Sequence, residues 1–423
     1  MSWLETTFAA LRLRHFRVLW IGTACAHLAF FMSTVVQSVV AFDLVGSNTA
    51  VGVVVFAQGL AMFPLGPLGG ALADRWSKRL AVAIGQTVPA LVFLLLGIAV
   101  ATDSIQLGLV AAGSFLIGVT FAFVGPARHA LVVDVVPSRA RGNAVALTQV
   151  ASTASQVAGP GVAGLLLYWS LSGAAGAYVA MSGLYLASSA LLLLLPKTRM
   201  RPDARETGVL TDVVDGVRYV LQRRRLRLVV LLYVSVLMLG FSYYTVMPSM
   251  VERELGQPAA AFAFLSLVAA TGALVASLAV ARYADHELAT VLFGSMGLVF
   301  GITLALLATV PSYEAAVVAV FFVGVGSGGF MTLNGAVIVR ATDPLFFGRV
   351  ISLTMLAFGG SGLMGLPIGV LADAIGERGT LAVLGGAICA MVSGFALLQA
   401  RVARDEAAAS PEAAEAAQRA GTL

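Results

Sequence analysis

The chain has 423 residues, of which 59% are hydrophobic and 11% charged, with a formal net charge of +5 at pH 7. A soluble domain carries about 25% charged residues, and the mean hydropathy here is +0.94, so this composition excludes a soluble globular protein. The apolar residues fall in runs long enough to cross a hydrocarbon core about 30 Å thick as helices, whereas the short alternating strands of a membrane barrel do not occur.

Residues 1–17 form an N-terminal segment that places Arg12, Arg14 and Arg17 before the first apolar run. Six spans follow, near 18–42, 49–73, 80–101, 106–127, 143–168 and 174–195. The first is full length and passes straight into further spans, so no cleavable signal peptide is expected. Span 1 carries a polar stripe of Thr23, His27, Thr34, Gln37 and Ser38 within roughly a 100° arc. Asp43 stands at its outer end. The turn after span 2 holds Gly70, Asp74, Arg75, Lys78 and Arg79, a carboxylate followed by three cations. Gly69 and Gly70 remove side chains where span 2 nears a partner helix, and small residues permit such approach. Span 4 has no charge from Ser114 to Gly125, and Arg128 lies at its cytoplasmic end. Span 5 repeats small residues at every fourth position through Ala151, Ser155, Gly159 and Ala163, with Gly164 next in line. Pro160 within it frees a carbonyl and permits a kink.

Pro196 opens a cytoplasmic linker, 196–226, in which Leu210, Val213, Val214, Val217, Val220 and Leu221 recur at helical spacing. That pattern predicts an amphipathic helix on the membrane surface. Six more spans follow near 227–250, 259–281, 289–310, 314–337, 349–372 and 379–400. The halves are thus 18–195 and 227–400, and the Ala/Glu-rich tail 401–423 is expected to be disordered. Lys and Arg crowd one side of this arrangement, while the other side holds only Arg253 and Arg378. By the positive-inside rule both termini are cytoplasmic and the chain is a multi-pass protein of the cytoplasmic membrane. The basic excess is therefore topological, and a nucleic-acid partner is not implied. Cys25 and Cys389 lie within spans, so no external disulfide framework is suggested.

The second six spans echo the first at an offset of about 206–211 residues. Ala73-Asp74 after span 2 is matched by Ala284-Asp285 after span 8, Gly142 to Leu147 by Gly348 to Leu353, and Pro160 by Pro367. Six spans per repeat give two parallel halves related by an axis along the membrane normal, with substrate between them near the midplane. The expected fold is therefore all-α: an integral membrane protein of twelve transmembrane helices in two six-helix pseudo-repeats.

These residues resemble the major facilitator superfamily over nearly the whole chain. Gly70, Asp74, Arg75, Lys78 and Arg79 match its signature loop, with Ser77 in place of the pattern's second glycine. Phe42 to Ser47, Pro126-Ala-Arg128 and Gly142 to Leu147 are similar to the twelve-span drug- and siderophore-exporting branch. The resemblance implies a conformational latch in which Asp74 sits at the N-terminus of span 11 and holds the cytoplasmic side closed. It also implies an antiporter-like motif at Ser155, Gly159, Pro160 and Gly164, through which span 5 packs on span 8, where Ala269, Ala273 and Ser277 offer a comparable small face. Spans 1, 4, 7 and 10 line the central cavity in that family. The candidate lining here is His27, Thr34, Gln37, Ser38, Phe123, Ser242, Tyr243, Ser327 and Asn334.

The expected function is secondary active export of small amphipathic organic compounds by proton antiport with alternating access. Asp43 and His27 are the candidate coupling groups, because titratable side chains within a membrane are functional by default. The expected partners are a small-molecule substrate, protons and membrane lipids, around a monomer. No clustered His, Asp, Glu or Cys suggests a metal, cofactor or catalytic centre, and no G-x-x-x-x-G-K-[ST] loop suggests an ATP-driven pump. An importer of a metabolite on the same fold, and a membrane sensor or assembly factor that transports nothing, remain open alternatives.

Overall fold

The computed structural model describes residues 9–75, 77–168, 173–196, 209–284, 286–343 and 346–408. Within helices, the side chains of 67–75, 209–213, 347, 348, 351, 352, 355, 358, 403 and 405–408 lie outside that description. Among the described residues the regular elements are all helical. This follows from the sequence: in lipid, a segment must satisfy its own backbone donors and acceptors, which a helix does internally. The first half comprises α1 (Arg14–Val45), α2 (Asn48–Arg75), α3 (Lys78–Ala101), α4 (Leu107–Val135), α5 (Arg141–Tyr168) and α6 (Gly173–Leu193). After the linker helix α7 (Val209–Gln222), the second half contains α8 (Arg224–Gly240), α9 (Tyr243–Ser249) and α10 (Phe262–Ala281). It continues with α11 (Ala289–Leu307), α12 (Tyr313–Ala341), α13 (Phe347–Ser361), α14 (Gly365–Ile375) and α15 (Glu377–Ala408).

Among the described residues, eleven helical segments are long and apolar enough to cross a membrane, and the stretch Gly359–Ile375 is a shorter apolar one. Two spans expected as single helices are instead broken. Span 7, expected over 227–250, is α8, α9 and a π-helical turn at Met250–Glu254. The break follows Gly240, where a Cβ would lie 2.3 Å from the Phe300 ring, and Pro248 removes a further helical N–H. Span 11, expected over 349–372, is α13 and α14 joined by a 3-10 turn at Gly362–Met364. Pro367 there has no N–H to give residue 363.

The packing repeats as the sequence does. In the first half α2 lies along α4, and α3 along α6; in the second, α10 lies along α12, and α11 along α15. Leu95, Leu165, Leu278 and Leu397 are exposed on the outside, the arrangement a hydrocarbon solvent favours. One end of the bundle carries Arg14, Lys78, Arg141, Arg224 and Arg349 near its helix ends, and is called the basic end below; the opposite end carries Arg253 and Arg378.

The linker helix α7 leaves Val214, Val217 and Leu221 exposed along one edge. Its other face is tied to the second half. Tyr219 stacks on Phe346 with ring centroids 4.1 Å apart, and its hydroxyl accepts from the Asp343 N–H at 2.9 Å. Asp215 is 3.7 Å from Arg349, and the Arg223 guanidinium lies 4.1 Å from the Tyr219 ring centroid. The helix therefore follows the second half through a stacked aromatic pair and peripheral charges. Residues 197–208 of the linker and 409–423 of the tail lie outside the described residues.

Candidate functional site

The two halves meet along α2 against α13 and α14, and along α5 against α10. At its glycines the first contact brings backbone against backbone. A Cβ on Gly52 would lie 2.5 Å from the Gly365 carbonyl, and one on Gly59 would lie 2.6 Å from Gly362. A Cβ on Gly369 would lie 2.5 Å from the Asn48 carbonyl. Removing side chains lets helices approach this closely, and dispersion between the backbones then holds them. At these glycines the seam is smooth, with little for one helix to unlock when it slides or tilts against the other.

At the end opposite the basic one, the seam finishes in a polar clasp. Asp373, near the end of α14, accepts from the backbone N–H groups of Asn48 and Thr49, both at 2.9 Å, and from the Asn48 amide at 3.1 Å and the Thr49 hydroxyl at 2.6 Å. A carboxylate of the second half thus caps the N-terminus of a helix of the first. Free N–H groups and the positive end of the helix dipole favour that charge. Asn48 is fully buried. Its amide also donates to Glu377 at 3.0 Å and accepts from the Ser249 hydroxyl. Arg253 joins the same cluster, 3.0 Å from Glu377 and bonded to the Gly46 carbonyl. The clasp therefore draws residues from α2, α9, the π-helical turn, α14 and α15 onto one asparagine.

At the basic end, Lys78 opens α3 and places its ammonium 2.8 Å from Asp134 near the end of α4. Ser77, which departs from the family pattern, accepts from the Leu80 N–H and caps α3. Arg79 is half-buried. Gly70, Asp74 and Arg75 fall where side chains lie outside the described residues, as does Asp285.

The antiporter-like motif divides between two neighbours. Ser155 donates to the Ala24 carbonyl of α1 at 3.3 Å, and a Cβ on Gly159 would lie 2.7 Å from Phe31, also on α1. Gly161 and Gly164 face the other half: Cβ atoms there would lie 3.4 Å from Leu267 and 2.7 Å from Ala263 of α10. Pro160 is buried between these two faces. The small face of α10 turns elsewhere from what the sequence suggested. Ala269 and Ala273 pack on Gly324 and Gly328 of α12, and Ser277 donates to the Gly328 carbonyl at 3.3 Å.

Most of the candidate cavity hydroxyls bond to their own helices. Thr34 donates to Phe31, Ser38 to Thr34, Ser242 to Met238 and Ser327 to Gly324, each to a carbonyl three or four residues earlier. This is the local side-chain bonding that lets a hydroxyl sit in an apolar helix. Gln37 accepts from Ser114 of α4 at 2.9 Å, Tyr243 is buried against Tyr244, Asn334 is buried and Phe123 is half-buried. Asp43 is exposed on the last turn of α1. His27 differs, because it lines a cavity inside the first half.

That cavity has a volume of about 90 Å³, and its walls include Phe30, Ile117, Phe121 and Pro89. Polar groups reach it from five helices: His27 of α1, Gln86 of α3, Arg128 and His129 of α4, Thr148 of α5 and Tyr185 of α6. Gln86, Arg128, Thr148 and Tyr185 each lie seven or eight residues from the basic end of their helices, a depth of about 10–12 Å. Sequence reasoning assigned Arg128 to the membrane surface as a topological charge. In the fold it is 6% exposed, and its Nε has no partner. The available signal was the run Pro126-Ala-Arg128-His129 inside a long α4, with Gln86 at the same depth on the neighbouring α3.

The model of the Major Facilitator Superfamily matches residues 19–366 of the chain. Multidrug resistance protein MdtH of Cronobacter sakazakii is 29% identical over 234 residues, covering 55% of this chain and 55% of that protein. MdtH of Photorhabdus laumondii is 29% identical over 238 residues, 56% of each. The chain thus matches about half the length of these relatives. The Staphyloferrin A transporter of Staphylococcus aureus is 23% identical over 343 residues, 79% of this chain and 83% of that protein. Among solved structures, a POT family transporter in complex with 5-aminolevulinic acid has a TM-score of 0.74 at 12% identity, covering 92% of this chain and 96% of that one. The nucleoside transporter NupG has a TM-score of 0.72 at 13% identity, covering 91% and 98%. These likenesses are of fold.

Proposed function

Because this chain belongs to the Major Facilitator Superfamily, we propose that it is a secondary active transporter exporting small amphipathic organic compounds across the cytoplasmic membrane by alternating access. Protons moving the other way drive it. The basic end faces the cytoplasm, as the positive-inside rule requires, so both termini are cytoplasmic and the chain works as a monomer among membrane lipids. The likeness to multidrug resistance proteins and to a staphyloferrin transporter supports a drug- or siderophore-like substrate.

The observation that carries this reading is the seam between the halves. Glycines line it at Gly52, Gly59, Gly362 and Gly365, and its outer end is held by a carboxylate on a helix N-terminus. A seam of that kind rocks. With the Asp373 clasp made, the outer side is shut and the cavity opens toward the cytoplasm. The reverse state breaks that clasp and makes its counterpart at the basic end, where Asp74 meets the N-terminus of α13. Carboxylates at opposite ends of one helix pair thus trade places in holding the gate, each favoured by the helix dipole it faces.

Import of a metabolite is the second reading, favoured by the charged cavity at Arg128, which is compact where a permissive exporter's would be broad. The two are separated by efflux and uptake in cells lacking other pumps, with and without a proton gradient, in wild type, Asp43→Asn and His27→Ala. Export predicts gradient-dependent loss of compound from loaded cells, slowed by whichever substitution removes the coupling group. Accumulation of compound in energised cells would replace export with import.

A further inference from the structure

The cavity inside the first half presents an electrostatic problem that its own residues leave unsolved. Arg128 is 94% withdrawn from solvent, being 6% exposed, and it has no ion pair or hydrogen bond among the described residues; its Nε is an orphan. The other titratable groups lining the cavity are His27, His129 and Tyr185, none of which is a carboxylate. A buried guanidinium is tolerated when an anion and hydrogen bonds compensate it, and a lone one is strongly disfavoured. Two further orphans face the same space, the Nδ1 of His27 and the Oε1 of Gln86. The Gln86 amide turned over presents its NH2 donors there instead. Thr120 and Thr148 have spent their protons on the Leu116 and Ala144 carbonyls of their own helices.

We propose that this cavity is an anion subsite in which Arg128 binds the carboxylate of a small organic acid. The guanidinium fork matches a carboxylate bidentately. The His27 and Gln86 groups left without partners supply further hydrogen bonds around it. A volume of about 90 Å³ is far below the 300–1,000 Å³ of a drug-sized pocket. The cavity therefore takes the acidic end of a molecule, with its first carbons against Phe30, Ile117 and Phe121, while the body stays outside past His129 on the exposed rim. A terminal carboxylate enters such a space end-on, whereas the phosphodiester of a lipid carries substituents on both sides. The Arg128 guanidinium repels cations. The proposal deepens the transport reading, on which it rests for the ligand's role, and names the substrate class as acidic compounds.

The test is calorimetric titration of the full-length chain in nanodiscs of neutral lipid, using octanoate and its uncharged counterpart octanamide. Octanoate is expected to bind at least tenfold more tightly. Arg128→Gln is expected to erase that difference, Arg128→Lys to retain part of it, and Gln86→Leu to weaken octanoate several-fold while leaving the cation in place. Equal affinity of the wild type for the acid and the amide overturns the proposal, whatever the variants do. So does octanoate binding that survives Arg128→Gln unchanged. Nanodiscs containing phosphatidylglycerol distinguish the lipid source: octanoate affinity should stay the same there, and its loss assigns the site to lipid and overturns the proposal. Octanoate binding without movement of any compound across proteoliposomes keeps the site and removes the transport reading.

Discussion

Replacing Asp373 with alanine tests the clasp at the outer end. The substitution deletes four hydrogen bonds, two from backbone N–H groups of α2, one from the Asn48 amide and one from the Thr49 hydroxyl. Loss of a capping side chain costs about 0.5–2 kcal/mol, and loss of a charge at a helix N-terminus about 0.3–1 kcal/mol. The bonds to Thr49 are exposed, so water recovers part of this, and roughly 1–2 kcal/mol remains. That corresponds to a 5- to 30-fold change in a population ratio. The cost falls on one conformation alone, since the clasp exists with the outer end closed. Spin labels at the exposed positions Val45 and Ile375 read the distance between the halves there by double electron–electron resonance in nanodiscs. Asp373→Ala should move the distribution toward the long distance by that ratio. Glu254→Ala is the control: Glu254 pairs with Arg378 inside the second half and, among the described residues, makes no bond across the seam. An unchanged distribution for Asp373→Ala, or an equal shift for Glu254→Ala, refutes the reasoning.

Asn48→Ala leaves Glu377 and Ser249 short of a partner in a buried site. It should open the outer end at a cost of about 1–3 kcal/mol. Combined with Asp373→Ala it should fall short of additivity in a double-mutant cycle, because both act in one network. Gly59→Leu adds a side chain whose Cβ alone would sit 2.6 Å from Gly362. The helices must part, so melting in detergent should show a loss of about 1–3 kcal/mol together with slower transport. Lys78→Ala breaks a partly exposed pair with Asp134 of a kind worth about 0–1 kcal/mol. The melting temperature should barely move while the rate of transport falls, and a large loss of stability would show that the pair is structural.

The parts of this fold legible in the sequence are those that one segment decides alone. A run of twenty apolar residues is held as helix in lipid, so the helical character of the spans is legible from composition alone. The amphipathic stretch from Val209 is likewise a helix. Breaks in spans 7 and 11 were not legible from hydropathy, because Gly240, Pro248, Gly362 and Pro367 are tolerated in membrane helices whose neighbours take up the freed backbone groups. The clasp was the hardest to see. Asp373 and Glu377 read as residues flanking a turn, and Asn48 as the start of a span. The bonds that join them cross more than 320 residues of sequence. Arg128 was misplaced for another reason: a count of basic residues near helix ends treats each as a surface charge, and helix α4 runs to Val135, well beyond the apolar window. His27 stands out by its stripe on span 1, which points to a central cavity between the halves, whereas the cavity it lines with Arg128 is inside the first half.

Proton-driven export is the central claim, and proteoliposomes test it most directly. The chain is reconstituted, a candidate compound is supplied equally on both sides, and a proton gradient is imposed across the membrane. The account predicts movement of the compound against its own gradient, opposite to the protons, which stops when an ionophore collapses the proton gradient. Full uphill movement that persists after the collapse, or none for any of a broad panel of amphipathic and acidic compounds, contradicts it.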